Sequence, residues 1–528
     1  VVIRRPTRWS RRLPTLLIMS LPRRSFLTLA AGTAAVGSAL PITAAAAPPP
    51  RLDDPFTLGV ASGDPLPDAV VIWTRLAPKP LEAGGMPART YRVEWQVATD
   101  ENFRRVVRSG IAPATPDQGH SVHVDVRGLE PGHTYWYRFR QGDHLSPAGR
   151  TRTAPAAKSD PARLRWAVTS CQNWEAGYYN AHRHLAAEDL DFVAFLGDYI
   201  YEGRPNPNAL RTHEGTDEPY SLTDYRNRHA QYRTDLDLQA AHAAHPFICT
   251  PDDHEIDNNW ADDIPQDPDQ QTPEAFRARR IAALQAYWEH MPFRRSSRPD
   301  GPDMQIYRAF RFGRLLDVPV LDTRQYRSDQ VRTLAEAEAP GRTITGEQQE
   351  TWLLDRLTSS PARWNVLANQ VMWAQNDRTA GPAESFDFDN FDGYRWQRRR
   401  LLNEFRQVRN PVIMTGDRHC TWACDLKTDF DHEGAEVVGA EFTGTSITSG
   451  GDSDPVAFHR TYDPIMADSP HWRYIDNQRG YLIMEADRKQ LTTKLRLVDT
   501  VTRPESQVRT AATFVVLDGV PGITDVSA

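Results

Sequence analysis

Apolar positions along this chain follow two different rhythms that change near residue 160. From Phe56 to Thr153 they form short alternating runs, such as Ala69-Val70-Val71-Ile72-Trp73-Thr74 and Tyr91-Arg92-Val93-Glu94-Trp95-Gln96-Val97. Period-two alternation predicts half-buried strands, so this stretch reads as a small β module. Thr153-Ala154-Pro155-Ala156-Ala157 then reads as a boundary. From residue 161 continuous apolar runs alternate with helical patterns, which predicts an α/β domain. Thr272 as N-cap and Pro273 at the first helical position predict a helix to His290. Thr345-Gly346-Glu347-Gln348 has capping-box spacing ahead of Trp352-Leu353-Leu354. Residues 201–240 and 374–396 are polar, charged and aromatic, and read as long loops or lids.

The chemistry lies just beyond the end of each apolar run. Leu164 to Val168 leads into Thr169-Ser170-Cys171, and Phe192 to Leu196 into Gly197-Asp198-Tyr199-Ile200-Tyr201. Phe247-Ile248-Cys249 leads into Asp252-Asp253-His254-Glu255, Trp364 to Leu367 into Ala368-Asn369-Gln370, and Val412-Ile413-Met414 into Gly416-Asp417-Arg418-His419. In α/β sheets sites form beyond the carboxyl ends of strands, so five tips are expected to converge. Carboxylates and amides suit hard cations, whereas imidazole, thiolate and phenolate suit iron or zinc. A mixed set points to two or more metals sharing a carboxylate. Two ions about 4 Å apart can clamp a phosphoryl group and supply hydroxide near neutral pH.

Composition narrows the alternatives. The chain has 528 residues, too many for one core, and two domains are expected. Its 62 basic and 69 acidic residues give a net charge of −7, which disfavours a nucleic-acid binder. Four cysteines exclude a disulfide scaffold. The first fifty residues hold seven arginines and no acid, leaving 55 basic against 69 acidic groups and a net charge of −14 for the rest. That split marks a targeting segment on an acidic protein.

The Arg23-Arg24 pair precedes Phe26-Leu27 and a mildly apolar run ending near Ala47. It resembles a twin-arginine export signal, an address read by the translocase rather than an anchor. Gly32, Gly37 and Pro41 interrupt the run too often for a membrane span. Cleavage is expected after Ala46, with Met19 as a candidate true start. Downstream, Leu129-Glu130-Pro131-Gly132-His133-Thr134-Tyr135 resembles the corner of a fibronectin type III-like sandwich, with Tyr135 as the corner tyrosine. The expected organisation is a signal region at 1–46, a fibronectin-like β-sandwich at 47–155 that supports rather than binds, and a catalytic domain at 160–528.

The five strand-end strings in this order resemble the metallophosphoesterase superfamily. With the sandwich and the export signal, they resemble the PhoD-like family of secreted alkaline phosphatases and phosphodiesterases over nearly the whole mature chain. The resemblance implies a four-layer α/β/β/α sandwich, an iron(III) ion (Fe3+) and one or two calcium ions (Ca2+), rather than zinc or manganese. It implies that Cys171, Tyr201 and His419 hold iron and that Asp198 bridges the metals. Asp417 would share the ligand set, and Asp253 and Asn259 would face calcium, with Asp252 as a further candidate. His254 would contact phosphate or protonate the leaving group. Asn369 would support the site from outside. Arg324 is a candidate phosphate contact, with a structural ion pair as the alternative.

The implied activity is hydrolysis of phosphate monoesters and diesters by an exported monomer, secreted or associated with the cell wall. Its partners would be phosphate-ester substrates and the twin-arginine translocase. The alternatives are a main role in phospholipase D-type or teichoic-acid-type diester cleavage, and a non-catalytic wall-binding protein. Several residues carry plainer readings. Tyr199 is expected to pack, and Glu255 and Asp257 to be solvated or to support ligands. His182, His184, His229, His242, His245, His290 and His459 are not expected to bind metal. Cys249, Cys420 and Cys424 could be thiols or form a disulfide. The Gly444–Gly451 tract is read as a loop near the site, and Phe386–Tyr394 as a rim.

Overall fold

Alternate residues of each central strand face opposite ways, and this alone sorts the structure into layers. In the computed structural model, which describes residues 53–450 and 454–528, Trp166, Val168, Ala194 and Leu196 share one core with Val366, Ala368, Val412 and Met414. Their neighbours Ala167, Val193 and Phe195 face a second core with Tyr225, Leu238, Phe276 and Leu284. On the far side Leu367 and Ile413 meet Leu353, Leu357, Leu401 and Leu402 in a third. Two sheets are thus packed back to back with helices outside, the four-layer α/β/β/α sandwich that the family resemblance implied. Both faces of these strands are buried, which is why they read as continuous apolar runs. The expected export address, its cleavage after Ala46 and Met19 lie outside the described residues.

The first sheet has ten strands. Its central parallel trio is Arg163–Thr169, Phe192–Leu196 and Pro246–Thr250. The antiparallel strands Gly480–Asp487, Gln490–Val498, Val508–Leu517 and Asp525–Ser527 extend it on one side. On the other side Val60–Leu66 pairs in parallel with Pro246–Thr250, followed by Ala69–Arg75 and Ser121–Arg127. The second sheet has seven strands, with Leu316–Val320, Trp364–Ala368, Pro411–Thr415 and Val437–Thr443 parallel at its centre.

The N-terminal stretch is divided between sheets. Val106–Ala114, Tyr91–Ala98, Thr134–Gln141, His144–Leu145 and Gly149–Arg152 make a separate five-stranded sheet. It packs Val93, Val97, Tyr137 and Phe139 onto Val60, Val70, Ile72 and Val122. One layer of this sandwich is therefore the end of the large sheet. The Tyr135 hydroxyl accepts the Glu130 N–H at 2.9 Å, the contact a corner tyrosine makes.

The helix Pro273–His290 begins as expected, with Thr272 accepting the Ala275 N–H. Two expectations change. Residues 201–240 are not all loop, because Leu222–Arg233 is a helix with a Ser221/Asp224 capping box, and Leu236–Ala244 follows it. The first helix buries Arg228, His229, Gln231 and Arg233 beside Tyr225 and Tyr232. Polar residues on its inner face erase the apolar period that would have announced it. The helix Gly346–Ser359 does exist, but Thr345 does not cap it. The Thr345 hydroxyl instead meets Gln397 Nε2 at 2.8 Å, and Thr343 Oγ1 accepts the Gly346 N–H. No disulfide joins the four cysteines, which are all buried. Among the described residues no helix is long and apolar enough to cross a membrane.

Candidate metal centre

The parallel strands deliver their carboxyl ends to one edge, where the loops beyond them bind one another. The Cys171 N–H donates to Gly197 O and the Gln172 N–H to Asp198 O. From the other sheet, the Gly416 N–H donates to Gln370 O and the Asn369 N–H to Met414 O. The described part of the glycine- and hydroxyl-rich tract, residues 444–450, closes over them, with Ile447 N–H on Ser170 O and Ser449 N–H on Cys171 O. That placement agrees with the sequence reading of this tract.

The backbone is strained where the candidate ligands sit. Eleven described non-glycine residues have positive φ, and five of them are Cys171, Asp198, Asn259, Asp417 and His419. Such conformations cost about 1–3 kcal/mol each and gather where function over-determines them. Gly197 has φ 99°, and a β-carbon there would overlap Asp252. Gly197→Ala is therefore expected to cost ~2 kcal/mol or more through backbone strain and overpacking. A denaturant melt measures the loss, and a change within ~0.5 kcal/mol would contradict the reading.

Two donor clusters share one residue. Cys171, Asp198 and His419 bring ligand atoms within 4.8 Å of one another, as do Asp198, Asp253 and His254. The Tyr201 hydroxyl donates to Asp198 Oδ2 at 2.7 Å and lies 2.9 Å from His419 Nε2. Cys171, Asp198, Tyr201, His419 and Asp253 thus lie in one connected group, with Asp198 at its middle. Asn259 joins through its N–H on Asp253 Oδ2 at 2.8 Å, and its side chain is exposed. Asp417 stands close enough for its charge to act on Cys171 and Asp252.

The charges of this group call for cations. Burial, then the charges of Asp389 and Asp253, push Asp417 up to about 8. Burial drives Asp252 well above the usual carboxylate range, despite Arg324. Burial and then Asp198 raise both the Cys171 thiol and the Tyr201 phenol. Asp198 Oδ1 and Asp252 Oδ2 are buried without a hydrogen-bond partner. Buried carboxylate oxygens without donors are costly unless a cation meets them. A cation among these groups would reverse each of these shifts. The donor set therefore fits metal binding, with thiol, phenol and imidazole on one side of Asp198 and carboxylate with imidazole on the other.

Surrounding residues fix the donors. The His419 Nδ1 lies 2.6 Å from Gly450 O, which leaves Nε2 toward Tyr201 and Asp198. Ser449 Oγ is 2.7 Å from the Tyr201 hydroxyl and 2.8 Å from Cys171 O. His254 Nδ1 meets Glu202 Oε2 at 2.7 Å, and its ring stacks on Tyr201 with centroids 4.1 Å apart. Burial works against a charge on His254, but Glu202, Asp253 and Asp198 outweigh it and raise its pKa well above the usual value.

Glu255 is fully buried, not solvated, and accepts the N–H groups of Asp198, Tyr199 and Asp252. It ties two ligand-bearing loops together. Asp257 pairs with Arg279 at 2.9 Å. Glu255 thus takes the supporting alternative of its sequence reading, whereas Glu202 was given no role there, and its place directly after Tyr201 was the only signal for it.

Arg324 resolves toward the structural alternative. Its Nε donates to Asp252 Oδ1 at 2.6 Å, and its Nη atoms grip both oxygens of Asp389 at 2.9 and 2.7 Å. It is buried among the carboxylates of Asp252, Asp253 and Asp389. Asn369 is fully buried and packs behind the loops. The histidines set aside in the sequence stay outside both clusters. His182 holds Gln172 Oε1 at 2.7 Å and His242 meets the Tyr199 hydroxyl at 2.9 Å, while Tyr199 itself packs in the core.

A four-layer sandwich with shared-carboxylate donor clusters at its strand ends is the architecture of a metallophosphoesterase. Comparison with known proteins agrees. The family model described as PhoD-like phosphatase matches residues 166–495, and that of the PhoD-like phosphatase N-terminal domain matches residues 43–155. The chain belongs to the PhoD-like phosphatase family. It is 47% identical over 488 residues to alkaline phosphatase D of Bacillus subtilis (strain 168), covering 90% of this chain and 83% of that protein. It also matches a solved structure of PhoD with a TM-score of 0.87 and 46% identity, covering 91% of this chain and 94% of that one.

Proposed function

We propose that the chain is an exported alkaline phosphatase and phosphodiesterase that works with iron(III) and calcium. The observation that carries this reading is the single carboxylate, Asp198, shared by two donor clusters, one with Cys171 and His419 and the other with Asp253 and His254. Cys171, Tyr201 and His419 would hold iron, with Asp198 between the ions. Asp253 and Asn259, with Asp252 behind them, would serve the harder cation, and Asp417 would share the ligand set. When bound, the ions would neutralise charge on the phosphoryl oxygens and lower the pKa of a water.

The chain's own residues do the rest. Gly450 O and the Ser449 hydroxyl orient the His419 imidazole and Tyr201 phenol. Glu255 keeps the Asp198 and Asp252 loops in register. His254, anchored at Nδ1 by Glu202, presents Nε2 as the proton donor to the departing oxygen. These roles serve monoester and diester leaving groups alike. The arginine-rich, acid-free first fifty residues support export by the twin-arginine translocase.

Metal analysis by mass spectrometry, with EGTA titration of activity, tests the cofactor reading. Iron with calcium is expected, and a visible phenolate-to-iron band that Tyr201→Phe abolishes. A colourless, fully active zinc protein would overturn it. Parallel assays on a chromogenic monoester, a bis-ester and phosphatidylcholine test the substrate class. Choline release far faster than monoester hydrolysis would reassign the main role to phospholipase D-type cleavage.

A further inference from the structure

The Phe386–Tyr394 tract, expected as a rim, carries a buried carboxylate that reaches the candidate metal loops. Asp389 is 7% exposed, and its two carboxylate oxygens accept four N–H donors. Two come from Arg324, one from Arg327 Nη1 at 2.9 Å and one from Gln330 Nε2 at 2.7 Å. Two of these partners continue inward. Arg324 Nε reaches Asp252 Oδ1 at 2.6 Å, and its Nη2 lies 3.7 Å from Asp253 Oδ2. Gln330 Nε2 also donates to Asn259 O at 2.6 Å. All three candidate ligands of the harder cation on this loop are therefore reached through groups that Asp389 holds.

Guanidinium geometry makes this contact directional. The fork is planar and rigid, so gripping both Nη atoms sets the direction of Nε. Two carboxylates clamp one arginine between them, and the pose of Asp252 depends on that of Asp389. Charge adds a second effect. Arg324 and Arg327 are both buried, and Asp389 is the one anion they share. Without its charge, Arg324 is left to Asp252 and Asp253, where it competes with a bound cation.

We propose that Asp389 is a positioning residue for the calcium side of the centre, acting through Arg324 on Asp252 and Asp253 and through Gln330 on Asn259. The inference rests on the calcium assignment made above. Its partners lie 59 to 65 residues away in sequence, and Asp252 lies a further 72 from Arg324, so this tract and the metal-bearing loops form one unit. Asp389 touches neither substrate nor the reacting atoms. Its loss is expected to weaken calcium binding and leave iron in place.

The test is isothermal titration of calcium into EGTA-treated full-length protein, comparing wild type, Asp389→Asn and Gln330→Ala. Gln330 is only half-buried, and its replacement leaves the Arg324–Asp389 pair intact, so this variant reports even if Asp389→Asn fails to fold. Asp389→Asn is expected to raise the calcium dissociation constant roughly tenfold or more, the usual effect of losing a residue that orients metal ligands. Gln330→Ala is expected to raise it less. Iron content and the visible band should stay at wild-type values, and excess calcium should restore most of kcat. Wild-type calcium binding with variant affinities within twofold overturns this inference alone. Absence of calcium binding by the wild type overturns it together with the calcium assignment.

Discussion

Asp198→Asn is expected to lower phosphoesterase turnover by at least about 10²–10³-fold, the range seen when one electrostatic contact to a developing charge is lost. The physical reason is the double membership of this carboxylate. It lies with Cys171 and His419 in one donor cluster and with Asp253 and His254 in the other. Its Oδ2 also receives the Tyr201 hydroxyl, and its Oδ1 has no protein donor at all. An amide keeps the volume but removes the negative charge and one lone-pair-bearing oxygen, so both clusters lose their common anion. Folding should survive, because the backbone anchor is the Asp198 N–H on Glu255, which the substitution leaves in place. Steady-state kinetics with metal content and a thermal melt separate loss of function from loss of fold. Wild-type turnover in a folded variant would place the site elsewhere.

The second large effect concerns the proton. His254→Asn is expected to slow hydrolysis of an alkyl phosphate by about 10²–10⁴-fold, the usual contribution of a placed acid. The loss should be much smaller with a nitrophenyl ester, whose leaving group departs without a proton. This contrast separates an acid from a group that merely binds phosphate, which would affect both substrates equally. Glu202 is the partner that makes the role possible, since it holds Nδ1 and leaves the other nitrogen free to face the cleft. Its charge is also the largest influence favouring protonated His254, against the penalty of burial. Glu202→Gln should therefore follow the same leaving-group pattern with a smaller amplitude. Equal loss on both ester types in His254→Asn would remove the acid role.

The gathering of the candidate donors was largely legible in the sequence because they follow strand ends within a few residues. Cys171 lies two residues beyond Thr169, Asp198 two beyond Leu196, and Asp417 two beyond Thr415. Parallel pairing then aligns these ends without any choice left to distant contacts. The α/β class was equally legible, since strands buried on both faces leave continuous apolar runs, whereas the four layers came from the family resemblance alone. The helix Leu222–Arg233 was missed for the opposite reason. Its buried face carries Arg228, His229 and Gln231, so its burial depends on partners and leaves no mark in hydropathy.

Local order along the chain thus determined the fold class, the strand ends and the donor types, because strand, tip and ligand are neighbours in sequence. Only the tertiary structure decided which polar groups face the centre and which brace it. Arg324 could have met a phosphate or an anion of the protein, and the fold brings it Asp389, 65 residues away, as an anion of the protein. Glu255 could have been solvated, and its burial against three backbone N–H groups makes it a tie between loops. A buried charge takes its role from whichever opposite charge or donor the fold brings to it. That partner is set by long-range packing, which local sequence does not encode.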